Sequence, residues 1–152
     1  MGIKVAIMYK KFKDRIFLYA GYSFISLGIP WIPAVLNFLA TIFFDTIPPL
    51  ELWFFILFVN NTIALIVFLF LNLLLYDLTP KTKRLIKIVY ISFFIVITTF
   101  YVIIIFVDAR LLGTLINPVQ MDYSQISELY LLICVITAVA LYIMLGRHFW
   151  KS

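Results

Sequence analysis

Four long apolar stretches, set apart by short polar or charged segments, give the chain its pattern. The cleanest runs from Trp53 through Tyr76 without a charge, long enough to cross a bilayer as a helix, and predicts a span over about residues 52–76. Two others span about residues 85–107 and 126–145. The first covers residues 16–44, and at 29 residues it would extend about 43 Å as one helix, against a hydrocarbon core of about 30 Å. It is interrupted by Gly28-Ile29-Pro30-Trp31-Ile32-Pro33. Each proline removes a backbone donor and crowds the preceding turn, so the pattern predicts a kink at Pro30/Pro33 or a break into two short helices.

Charge decides between those options. Lys and Arg number five before the first stretch, none between the first and second, four between the second and third, one in the next connection and two at the end. With four crossings, eleven of the twelve fall on one side and five of the seven acids on the other. Three or five crossings would mix them, so the first stretch counts as one kinked span. The positive-inside rule then puts both termini and the Asp77–Lys87 loop in the cytoplasm. The expected architecture is all-α: an integral four-helix bundle of the cell membrane, N-in and C-in. A basic flank (residues 1–15) precedes the membrane domain (16–147), and a short cytoplasmic flank (148–152) follows it.

Composition agrees. The chain is 65% hydrophobic and 12% charged, whereas soluble domains run near half apolar and a quarter charged. The net charge of +5 comes from these cytoplasmic lysines and arginines and is no sign of nucleic-acid binding. The bilayer itself is the first partner. The N-terminal flank carries Lys4, Lys10, Lys11, Lys13 and Arg15, and reads as a frayed segment that sets topology or as a stretch lying on anionic headgroups. The first apolar run lacks a small-residue cleavage site and reads as a retained helix.

Polar residues inside the apolar stretches are the first place to look for function. Asn61 and Asn72 stand eleven apart, on one helical stripe with Leu65 and Phe68. Asn60 points about 100° away, Thr62 follows, and Asn37 in the first stretch is a partner for a bond across the bundle. These five either join helices or line a path for a neutral solute; amides with no ionisable neighbour fit helix contacts better. Between their ends the spans hold no Asp, Glu, His, Lys or Arg, which leaves no relay for proton-coupled transport. One cysteine, Cys134, makes no intramolecular disulfide and reads as packing; the sole His148 sits beside Trp150 and Lys151 as a basic anchor. Neither a cofactor, a metal nor an enzymatic activity is expected.

The longest connection, residues 108–128, is the other candidate. Asp108, Arg110, Asn117, Asp122 and Tyr123 would form an external contact surface. Alternatively the segment is an interfacial cap, its Leu111-Leu112 and Leu115-Ile116 dipping into the headgroups. Gly113 and Asn117-Pro118 mark turns. The run Asp108-Ala109-Arg110-Leu111-Leu112-Gly113-Thr114-Leu115, then Asn117-Pro118-Val119 and Tyr123-Ser124, resembles a pattern in uncharacterised archaeal multi-spanning membrane proteins. The resemblance covers the C-terminal third; it implies a membrane location and supplies no activity.

The reading is therefore a non-catalytic membrane protein acting as subunit, scaffold or partner of a larger assembly, through other subunits or self-association. A small oligomeric channel or carrier for a neutral solute is the alternative, and a membrane sensor working through a partner is a third.

Overall fold

The computed structural model describes residues 2–26, 28, 31–117 and 120–151, and of Ser26, Phe149 and Lys151 only the backbone. The described residues are 84% helical. Among the described residues, three helices are long and apolar enough to cross a membrane.

The N-terminal flank is ordered as a helix, α1 (Gly2–Phe12), where fraying was the simpler expectation. Lys13 takes a left-handed conformation, φ 57°, and its N–H donates to the Tyr9 carbonyl at 2.8 Å, ending the helix. Asp14 then caps α2 (Arg15–Ser26), its carboxylate accepting from the Ile16 N–H at 2.9 Å. The two helices fold back on each other, with Phe12 stacked on Phe17. They approach so closely that a Cβ on Gly21 would lie 2.6 Å from the Cβ of Ala6, and one on Gly2 would lie 2.7 Å from the Gly21 carbonyl oxygen. Small residues at such a crossing let two backbones meet, a common way of joining helices in lipid.

The first apolar stretch is thus two helices, α2 and α3 (Ile32–Phe44). Pro30 lies outside the described residues. Pro33 falls in the first turn of α3, where its missing N–H has no helical acceptor to lose, so it opens a helix instead of bending a continuous one. Asp45 ends α3 in a left-handed conformation, its N–H donating to Thr41 at 3.2 Å, and Pro48-Pro49 prevent continuation.

Helix α4 (Leu50–Leu75) is the hub, packing against α2, α3, α5 (Pro80–Asp108) and α6 (Gln125–Lys151). Of its most apolar stretch 44% is buried inside the protein, against 17% for α5 and α6. Thr79 caps α5 by accepting from the Thr82 N–H, with Pro80 at the first helical position. Between α5 and α6 the expected loop is built: a single 3₁₀ turn (Ala109–Leu111), then an antiparallel hairpin of β1 (Gly113–Asn117) and β2 (Gln120–Tyr123), Gly113 opposite Tyr123.

Two buried clusters fill the interior. One joins Phe54, Phe58 and Leu65 of α4 to Phe94, Tyr101 and Ile105 of α5 and Tyr130 and Cys134 of α6. The other gathers Phe68, Leu69 and Leu73 with Ile16 and Tyr19 at the start of α2, Ile86 early in α5, and Met144 and Leu145 near the end of α6. The start of α2, the end of α4, the start of α5 and the end of α6 therefore share one end of the bundle, with Ala34 of α3 packed at the opposite cluster.

Candidate functional site

The centre of the bundle is a hydroxyl node that ties three helices together. Thr62 of α4 and Thr98 of α5 share a hydrogen bond through their side-chain oxygens. The Tyr130 hydroxyl of α6 lies 3.0 Å from the Thr62 oxygen and donates to the Phe58 carbonyl at 2.8 Å. Helix periodicity explains the convergence: Phe58 and Thr62 are one turn apart on the face α4 buries, so a single tyrosine reaches both. Rings close around the node. Tyr130 meets Phe58 edge-on at 4.6 Å between centroids and Tyr101 at 4.9 Å. The Tyr101 hydroxyl crosses to the Ile126 carbonyl, 2.6 Å away, making a further α5–α6 tie. All these groups are neutral, and what the arrangement does chemically is satisfy polar groups where water is absent.

The amides behave differently from the hydroxyls. Asn72 is wholly buried on the stripe it shares with Leu65 and Phe68, with Asn61 half-buried one step along. Its amide donates to the Phe68 carbonyl of its own helix at 3.0 Å, and its Oδ1 has no partner among the described residues. Asn60 likewise turns back to Ile56, at 2.9 Å. Asn37 is buried on α3, and its Nδ2, like the Trp53 Nε1, lacks a partner among the described residues. The cross-bundle bonds expected of the asparagines are thus made by Thr62, Thr98 and the tyrosines, which were not singled out except for Thr62. A tyrosine leading an apolar stretch was the available signal for Tyr130, since a buried phenol needs an acceptor.

In the 108–128 connection the structure separates the five expected contact residues. Asp108 and Arg110 line an open recess of about 530 Å³ with Glu51, and the Asp108 carboxylate accepts from the Arg110 backbone N–H at 3.0 Å. Asn117 donates to the Gln120 side chain near the hairpin tip, 3.1 Å. Asp122 is exposed, while the half-buried Tyr123 places its ring against Phe54. Expected to dip into headgroups, Leu112 is instead fully buried in the protein core. Its carbonyl accepts from the Ser127 hydroxyl at 2.7 Å and the Ser124 N–H at 2.9 Å, which draws the leucine inward; Leu111 and Ile116 do stay exposed.

Among the described residues no group of three His, Cys, Asp or Glu side chains could hold a metal. No family model matches the chain, and no characterised protein or solved structure matches it either.

Proposed function

We propose that this chain crosses the cell membrane four times, with α2 and α3 forming one broken crossing and both termini in the cytoplasm, and that it serves as a non-catalytic subunit or scaffold of a larger membrane assembly. The orientation is supported by charge: the bundle end where α2 starts, α4 and α6 end and α5 starts carries Arg15, Lys81, Lys83, Arg84, Lys87 and Arg147.

One observation carries the subunit reading. The hydroxyls at the centre bond one another across α4, α5 and α6 and are sealed by Phe58, Tyr101 and Tyr130, while the outward faces of α5 from Leu85 to Val107 and of α6 from Leu129 to Ile143 are largely apolar. Such a chain has most of its membrane-depth polar chemistry committed inward and offers neighbours a largely apolar surface, with Ser92 and Thr99 as exposed hydroxyls on α5. Thr62 and Asn72, which a solute path would need in contact with water, are buried in packed side chains.

Native mass analysis of the protein, extracted in mild detergent from its own membrane without overexpression, tests this. Other membrane subunits in fixed ratio are the expected result. A self-contained dimer or tetramer that passes a neutral solute in liposomes would overturn it in favour of a channel or carrier.

A further inference from the structure

A partly open cavity of about 240 Å³ lies between α2, α4 and α6. Its walls are Ile16, Ala20 and Phe24 of α2, Phe68 and Leu71 of α4, and Tyr142 of α6. Ser23 also lines it, and its hydroxyl donates to the Tyr19 carbonyl at 2.8 Å. Apolar holes of about 150 Å³ already stay dry and take up apolar guests. This one is larger, and it is elongated along the helices: from Ile16 to Phe24 is eight residues of α2, about 12 Å of rise. An extended hydrocarbon chain has that shape.

The charge at its end says which lipid. Arg15 immediately precedes the lining residue Ile16, and Arg147 lies two residues beyond the lining residue Leu145, against one acid, Asp77, two residues beyond the lining residue Leu75; all three are exposed. The neighbouring Asp14 carboxylate is taken up in capping α2, and Lys87 lies over the Phe70 ring, 5.0 Å from its centroid. With two arginines against one aspartate, the end of this apolar, elongated cavity has a net positive charge, where the phosphate of a phospholipid would sit with one acyl tail inside. We infer that the cleft between α2, α4 and α6 is a binding site for an anionic phospholipid, its tail in the cavity and its headgroup between Arg15 and Arg147. This rests on the membrane location of the helices and not on the subunit role proposed above.

The test uses the full chain in bilayer discs of phosphatidylcholine with a minor fraction of phosphatidylglycerol, then counts lipids retained through mild detergent by native mass analysis. Wild-type protein should retain phosphatidylglycerol preferentially, by roughly fivefold for each arginine, the size of one basic residue's attraction to an anionic bilayer surface. Arg15→Gln with Arg147→Gln should bring retention of the two lipids to parity. Ala20→Phe, which fills the cavity, should abolish retention of both. Equal retention by the wild type, or an undiminished preference in the double arginine variant, would overturn the assignment. Because Ala20→Phe could disturb the fold, a second measurement uses unaltered protein: phosphatidylglycerol with a photoreactive group along its tail should label Phe24, Phe68 and Tyr142. Labelling spread over the outward face of α5, at Val96, Phe100 and Phe106, would equally refute it.

Discussion

Replacing Tyr130 by phenylalanine and, separately, by alanine divides the strength of the central node into hydrogen bonding and packing. Tyr130→Phe removes a hydroxyl that reaches Thr62 and the Phe58 carbonyl, yet strands neither partner. Thr62 keeps its bond to Thr98, and the Phe58 carbonyl keeps the acceptor role it has within α4. Interhelical side-chain bonds in membrane proteins average about 0.6 kcal/mol, with a maximum near 1.7, because the separated helices also find partners. The phenylalanine variant should therefore lose about 0.6–1 kcal/mol. Tyr130→Ala also removes a fully buried ring held between Phe58 and Tyr101. In lipid the transfer part of that loss is small, since the ring leaves one apolar surrounding for another; the empty space remains. At about 24 cal/mol per Å³, a vacated volume of roughly 100 Å³ costs about 2.4 kcal/mol. Alanine, which loses the bond as well, should then cost about 3–3.4 kcal/mol, roughly four times the phenylalanine loss, measured by unfolding in mixed micelles and followed by circular dichroism. Equal losses for the two variants would refute the reasoning and make the hydroxyl, not the ring, the lock.

Further outcomes follow from other contacts. Gly21→Val should release α1, because its Cβ would fall 2.5 Å from the Ala6 nitrogen; hydrogen exchange across residues 3–12 should rise roughly tenfold, while the melting of the α4–α6 bundle barely moves. Gly113→Ala places a Cβ 2.3 Å from the Asp122 carbonyl oxygen at φ 154°, so it should cost about 1–3 kcal/mol and open the hairpin to limited proteolysis. Asn61→Leu with Asn72→Leu should leave the isolated chain within about 1 kcal/mol of wild type in thermal unfolding, since the Asn72 amide bonds to its own helix and leucine keeps its branching. A large loss would mean that the amides tie helices after all.

What could be read from the chain, and what could not, follows from the solvent. In water a helix shows its buried face as a stripe of apolar residues; in lipid every face is apolar, and periodicity stops marking the interior. The extent of the helices was legible because the bilayer demands long uncharged runs, and residues 52–76 differ from α4 by two residues at one end and one at the other. The buried face of α4 was legible too, because Asn61 and Asn72 fix a stripe that hydrocarbon disfavours, and Leu65, Phe68 and Asn72 are indeed buried.

The partners of that stripe were not legible. Tyr101 and Tyr130 look no different from the aromatic residues that belt a membrane interface until the Ile126 and Phe58 carbonyls stand opposite them. Docking of α1 depends on Gly2, Ala6 and Gly21 meeting across a two-residue turn, and basic composition hid the Gly-x-x-x-Ala spacing that makes the approach feasible. The hairpin hid for a related reason: burial of Leu112 depends on Ser124 and Ser127 seizing its carbonyl, bonds that no apolar pattern encodes. In each case the deciding group is a small or hydroxyl-bearing residue. For a chain dissolved in lipid such residues mark which helix faces meet, and leucine and isoleucine say mainly how far each helix runs.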